Sequence, residues 1–215
     1  MKIGVFDSGI GGLSVAKAIE SALPDAEVLF VHDTPGHFPY ATKSPDEIYG
    51  YVVPIIQGLV DQKCDVIVVA CNTVSTTLID RLRSAFKTPL IALEPMVKPA
   101  AALTKSGVIA VCATPTTLTS KRYAWLKNTY GSSATILEPD CADWSQLIEH
   151  SAMNDQKIRE DIEPALAQGA DVIVLGCTHY HWIEDKIRLL AGDRAVVLQP
   201  EVPVIAELKR LLGLN

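Results

Sequence analysis

The chain lacks the long apolar run of a membrane span: no stretch approaches the roughly 20 residues such a helix needs. Its N-terminus, MKIGVFDSG, enters a strand-like run and then glycines, without the apolar stretch and cleavage site of a signal peptide. A cytoplasmic location is therefore expected. There is no basic cluster, and the formal net charge is −6, which argues against nucleic acid and acidic membrane surfaces as partners. The five cysteines include no CxxC pair, so no disulfide framework is expected. These thiols are read as reduced, and either buried or reactive. No second ligand pair with metal spacing accompanies Cys177-x-His179, so no metal site is expected.

What the sequence does have is a repeat. Asp65–Thr73 reads DVIVVACNT and Asp171–His179 reads DVIVLGCTH, identical at five of nine positions, including the cysteine. Each copy is a continuous apolar run rich in β-branched residues, the mark of a strand buried on both faces.

Around the copies, strand signals alternate with helix signals. Strands are expected at Lys2–Phe6, Val28–Val31, Val66–Ala70, Leu90–Leu93, Val108–Val111, Thr135–Leu137, Val172–Leu175 and Ala195–Leu198. Ser44-Pro45-Asp46-Glu47 combines an N-cap serine, a proline at the first helical position and a capping-box glutamate, opening a helix to about Asp61. Further helices are expected at Leu13–Ala22, Ser75–Phe86, Val97–Lys105, Thr116–Thr129, Trp182–Leu190 and Val204–Leu212, with two more helical stretches before Ala167.

This alternation predicts an α/β protein with two similar parallel-sheet domains facing each other across a cleft, related by a pseudo-twofold. Residues 1–94 with about 191–215 would form the first domain, and 95–190 the second. Ligands of such folds sit beyond the carboxyl ends of the strands, where both repeat cysteines fall. A thiol there can give or take a proton near neutral pH, because helix N-termini and cations lower its ordinary pKa of about 8.5. A thiolate and a thiol on opposite faces of a tetrahedral carbon could invert it. The alternative is that both cysteines are small buried hydrophobes; the polar flanks Asn72-Thr73 and Thr178-His179 favour a site.

Several stretches carry a family resemblance: VFDSGIGGLSV (Val5–Val15), HDT (His32–Thr34), PYATKS (Pro39–Ser44), ACNT (Ala70–Thr73), LEP (Leu93–Pro95), ATPTTLTSKRY (Ala113–Tyr123), the spacing from Cys141 to Leu147-Ile148-Glu149, and GCTHY (Gly176–Tyr180). In this order they resemble the glutamate racemases of the aspartate/glutamate racemase superfamily. The resemblance implies that Cys71 and Cys177 are the acid/base thiols, acting on D- and L-glutamate respectively. Asp7 and His179 would assist them, with Glu149 near the second. Asp7, Ser8, Pro39, Tyr40, Ala41, Asn72, Thr73, Thr114, Thr117, Thr178 and His179 would hold the substrate. Cys141 matches a family position without an acid/base role, and Cys64 and Cys112 are read as structural.

The resemblance also implies no pyridoxal phosphate and no metal, a role in supplying D-glutamate to bacterial peptidoglycan, and assembly that is often homodimeric. Some residues depart from the pattern. Ala41 stands where the family carries glycine, and His32, His37, Trp144 and His181 alter the surroundings of the substrate residues. The expected activity is cofactor-independent racemisation of glutamate. The alternatives are a relative acting on aspartate or another amino acid, and a non-catalytic relative that binds a ligand or a protein.

Overall fold

Eight short parallel strands form two sheets in a computed structural model that describes residues 1–34 and 36–214. In the first sheet β1 (Lys2–Asp7), β2 (Glu27–His32), β3 (Val66–Val69) and β4 (Leu90–Ala92) lie in the order β2-β1-β3-β4. In the second, β5 (Val108–Ala113), β6 (Thr135–Leu137), β7 (Val172–Gly176) and β8 (Val196–Leu198) lie in the order β6-β5-β7-β8. The two orders are the same, and each repeat copy supplies the equivalent interior strand, β3 or β7.

Alternation along these strands explains their unbroken apolar sequence. Val66 and Val68 pack into one core cluster while Ile67 and Val69 pack into another. Val172 and Val174 are separated from Ile173 and Leu175 in the same way. Both faces are covered, so neither tolerates polar side chains.

The aspartate opening each copy has a structural task. Asp65 Oδ2 accepts from the backbone N–H of Lys2 at 2.7 Å, where β1 begins. Asp171 accepts from Thr104 Oγ1 at 2.5 Å and from the N–H groups of Lys105 and Ser106 at 2.7 and 2.8 Å, in the turn before β5. Burial opposes ionisation of Asp171, but these donors outweigh it and lower its pKa to about 2, against an ordinary 3.8. A depressed folded-state pKa adds stability that is complete above the ordinary value and is lost as pH falls toward the folded one. Asp171→Asn should therefore cost about 1–2 kcal/mol at neutral pH, allowing for partial exposure. Thermal unfolding of the two proteins should converge as the pH falls from about 4 to about 2.

The chain divides into two compact units, Met1–Leu93 with Pro200–Asn215, and Glu94–Gln199. The return to the first unit comes later than the expected position near 191, because β8 pairs with β7 in the register Val172↔Val196. Only the final helix, Glu201–Leu212, joins the first unit, placing Val204 and Leu208 in the core cluster of Ile3, Val15 and Ile19.

Helix boundaries differ from expectation in several places, among them the final helix, which starts at Glu201 and not at Val204. The helix after β3 starts at Asn72, because Ser75 does not cap it: the Ser75 hydroxyl donates to Val69 O at 2.9 Å and accepts from Leu93 N at 3.2 Å. The expected helix Thr116–Thr129 is two helices, Pro115–Leu118 and Lys121–Tyr130, since Ser120 caps the second by accepting from Tyr123 N at 3.1 Å. The expected helix from Trp182 starts as a 3-10 turn, Thr178–Ile183, before Glu184–Ala191. The capping box is present, with Ser44 Oγ accepting from Glu47 N and Glu47 Oε2 accepting from Ser44 N. Among the described residues, no helix is long and apolar enough to cross a membrane.

Candidate active site

In the first unit the candidate residues gather at the carboxyl ends of β1 and β3. Asp7 closes β1, fully buried, and its Oδ2 accepts from Gly12 N at 2.8 Å. The turn between them needs glycine at position 12, where a Cβ would lie 2.5 Å from Asp7 Cβ and 3.1 Å from the Phe30 ring. Just beyond β3, Cys71 is the N-cap of the helix Asn72–Ala85, and its thiol donates to Ser8 Oγ at 3.4 Å. A long helix beginning at a thiol stabilises the thiolate through its aligned peptide dipoles and free N–H groups.

Asn72 follows, 3% exposed, and neither its Oδ1 nor its Nδ2 has a hydrogen-bond partner among the described residues. Leaving a buried polar group unmet costs roughly 1–3 kcal/mol. A ligand carrying both a donor and an acceptor meets both needs. Thr73 is buried beside it.

Pro39, Tyr40 and Ala41 enter a 3-10 turn, Tyr40–Thr42. The Phe38–Pro39 peptide is cis. Ala41 is not among the non-glycine residues with positive φ, which are Lys63 and Ser151, so its Cβ brings no backbone strain. Tyr40 is 2% exposed and shares a core cluster with Phe6 and Cys71. Its hydroxyl donates to Asp33 Oδ2 at 2.5 Å. Burial pushes the phenol far above its ordinary value, Asp33 adds to this, and negative charge on Cys71 or Asp7 raises it further. Tyr40 is thus a neutral donor.

The second unit places its thiol at the equivalent strand end but supports it differently. Cys177 follows β7 directly and precedes only a 3-10 turn, so the helix-dipole contribution is smaller here. Its support is a side-chain relay: His179 Nδ1 lies 3.8 Å from Cys177 Sγ, and His179 Nε2 lies 2.6 Å from Glu149 Oε2. A carboxylate on the far nitrogen fixes the imidazole's orientation. Thr178 is buried next to them.

Thr114 and Thr117 lie at the end of β5. Thr114 Oγ1 accepts from Thr117 N at 3.4 Å and donates to Thr117 Oγ1 at 3.1 Å. The helix they open, Pro115–Leu118, is a single turn, so polarity here comes from the hydroxyls.

The remaining cysteines belong to the cores. Cys64, Cys112 and Cys141 are buried, and burial pushes the thiols of Cys64 and Cys141 up. Trp144 is also core: it is fully buried, donates to Asp161 Oδ2 at 2.6 Å and meets the Tyr180 ring edge-on at 5.1 Å. Tyr180 in turn donates to Cys141 O at 2.8 Å. His32 is exposed, while His181 is 9% exposed. Among the described residues, no group of three or more His, Cys, Asp and Glu side chains could hold a metal ion.

Sequence reasoning passed over Asp33. It lies directly after β2, its N–H donates to Asp7 O at 3.2 Å, and its carboxylate is 4% exposed. Its position at a parallel strand's carboxyl end, beside Asp7, is the signal that could have found it.

Known proteins resemble this chain along nearly its whole length. The model of the Asp/Glu/Hydantoin racemase family matches residues 3–208. A glutamate racemase from Ectopseudomonas mendocina is 38% identical over 216 residues, covering 98% of this chain and 82% of the relative. An Escherichia coli glutamate racemase, solved with L-glutamate and the activator UDP-MurNAc-Ala, superposes with a TM-score of 0.91 at 29% identity, covering 99% of this chain and 82% of that one. The Francisella tularensis enzyme solved with D-glutamate gives a TM-score of 0.82 at 28% identity, over 100% and 83% of the two chains. The chain belongs to the Asp/Glu/hydantoin racemase family.

Proposed function

We propose that the chain is a glutamate racemase that interconverts L- and D-glutamate through the thiols of Cys71 and Cys177. The observation that carries this reading is their equivalence. Two sheets of the same order each end an interior strand on a buried cysteine with a polar partner, Ser8 for one and the His179–Glu149 pair for the other.

The chemistry requires both thiols to reach one α-carbon from opposite faces. One is a thiolate and removes the α-proton; the other is a thiol and donates its proton to the far face. Cys71, at its helix N-terminus, takes the proton of D-glutamate, and Cys177, backed by His179, takes that of L-glutamate. Each turnover leaves the protonation states exchanged, so the reverse reaction starts from the state the forward one leaves. The barrier is the weak acidity of the α-C–H. Placed hydrogen bonds and excluded water must stabilise the carbanion. No step passes through pyridoxal phosphate or a metal.

The substrate's carboxylates and ammonium are assigned to Ser8, Asn72, Thr73, Thr114, Thr117, Thr178 and the Pro39-Tyr40-Ala41 segment, with Asp7 facing the ammonium. The two unmet amide atoms of buried Asn72 support a ligand of mixed polarity. Glutamate, rather than aspartate, is supported by the substrates of the glutamate racemases it is similar to. The reading includes supply of D-glutamate for peptidoglycan, a cytoplasmic location and assembly as a homodimer, all supported by the family resemblance.

Incubation with L-glutamate in deuterated water, without added cofactor, tests the reaction. Loss of optical activity together with deuterium at the α-carbon is expected. Reaction with L-aspartate alone would overturn the substrate. No exchange with either, from folded protein with reduced thiols, would favour a non-catalytic binding relative.

A further inference from the structure

The carboxylate of Asp33 is a buried charge outside the thiol chemistry. Such a charge is stable only where donors surround it. Four converge on it: Tyr40 Oη at 2.5 Å, Thr34 N at 2.7 Å, Thr34 Oγ1 at 3.4 Å, and His37 Nδ1 at 2.9 and 3.0 Å from its two oxygens. Of these donors only His37 can carry positive charge. Its ring is itself fixed, stacked on Tyr51 at 3.8 Å between centroids and 11° between planes. Tyr51 belongs to the helix Pro45–Asp61, which the Ser44 capping box anchors at its start. A chain of contacts therefore runs from a well-anchored helix through His37 and Asp33 to Tyr40, whose ring packs in the cluster containing Cys71.

We propose that His37 and Asp33 are positioning residues for the substrate segment Pro39-Tyr40-Ala41: Tyr51 orients His37, His37 fixes the Asp33 carboxylate, and Asp33 fixes Tyr40. The inference rests on the racemase reading, since it assigns these residues to holding glutamate, not to moving its proton. Asp33 is doubly placed for the task. Its backbone N–H continues the ladder to Asp7, so the carboxylate that grips Tyr40 is referenced to the same strand end as the residue assisting Cys71.

The effect should fall on binding. His37→Ala should raise KM for glutamate about 5- to 10-fold, the size of one lost hydrogen bond of ordinary strength, with kcat within about twofold. His37→Asn, whose Nδ2 can stand where Nδ1 stood, should recover most of the loss. Tyr40→Phe reaches the same carboxylate from the other side, so its effect and that of His37→Ala should not multiply in the double variant. A purely structural role would lower the unfolding temperature of His37→Ala while leaving KM unchanged, and that result overturns the proposal. So does fully multiplicative behaviour in the double variant, or a His37→Asn protein no better than His37→Ala. Absence of turnover in the unaltered protein would instead sink the racemase reading. Direct glutamate binding, measured by calorimetry on the same variants, would then still show whether His37 positions a ligand segment.

Discussion

Cys71→Ser and Cys177→Ser should each lower racemisation of glutamate by about 10³-fold or more, as loss of a positioned proton-transfer group does. A serine hydroxyl is a far weaker acid than a thiol and cannot serve as the base at neutral pH. The loss must also be equal in both directions. L- and D-glutamate have the same free energy in water, so kcat/KM for the two directions is tied together in any variant. A variant slowed in only one direction would contradict thermodynamics, not the mechanism. The thiols separate instead through hydrogen exchange at the α-carbon. Cys177→Ser retains the base assigned to D-glutamate, so in deuterated water it should label D-glutamate without inverting it. Cys71→Ser should label only L-glutamate. Measuring deuterium in each recovered enantiomer by mass spectrometry reads this directly. Reversed labelling would exchange the two assignments, and wild-type turnover by either variant would end the two-thiol account. Binding should survive, because serine keeps the shape of the cysteine side chain with one atom exchanged, and Ser8 Oγ can still pair at position 71.

The repeat was legible because both copies obey one physical constraint. A strand buried on two faces cannot alternate polar and apolar residues, so β3 and β7 read as near-continuous Val and Ile and reveal their interior positions. The position of both cysteines just beyond a strand end was legible because each apolar run stops on them, and parallel strands deliver their ends to one edge. Capping was legible only where a side chain had a single use. Ser44 behaves as its pattern suggests, whereas the Ser75 hydroxyl is spent joining β3 to β4 and Ser120 interrupts a helix that periodicity alone would continue. The place of β8 was hidden because a three-residue strand carries no mark of which sheet it completes. Trp144 shows the same limit for side chains. Beside a candidate site in sequence it reads as a rim residue, yet its indole is sealed in the core by Asp161 and Tyr180. Asp33 stands in the sequence only as the middle of the HDT stretch, and only its donors in space reveal a buried carboxylate.

Gly12→Ala should leave a folded protein whose kcat/KM falls by about 10²-fold, the penalty for displacing a reacting group by about 1 Å. The reason is steric and local. The new Cβ would sit 2.5 Å from Asp7 Cβ, closer than real carbon atoms approach, with the Phe30 ring at 3.1 Å and Asp7 Cγ at 3.2 Å. Phe30 is an aromatic edge that can yield by a few tenths of an ångström. Asp7 cannot yield without moving the end of β1, whose backbone carbonyl also receives Asp33 N. The Gly12 N–H that now donates to Asp7 Oδ2 would move with it. Asp7 should therefore turn away from the orientation proposed for it in the reaction, while the strands and both cores stay intact. Gly36→Ala is the matched control in the same unit, since a Cβ there meets nothing within 4 Å. It should keep wild-type kcat/KM. The discriminating measurement is kcat/KM alongside unfolding temperature for both variants. Activity lost from Gly12→Ala in proportion to lost folded protein would assign the glycine to stability. A wild-type kcat/KM from Gly12→Ala would mean that Asp7 has no fixed role in the reaction.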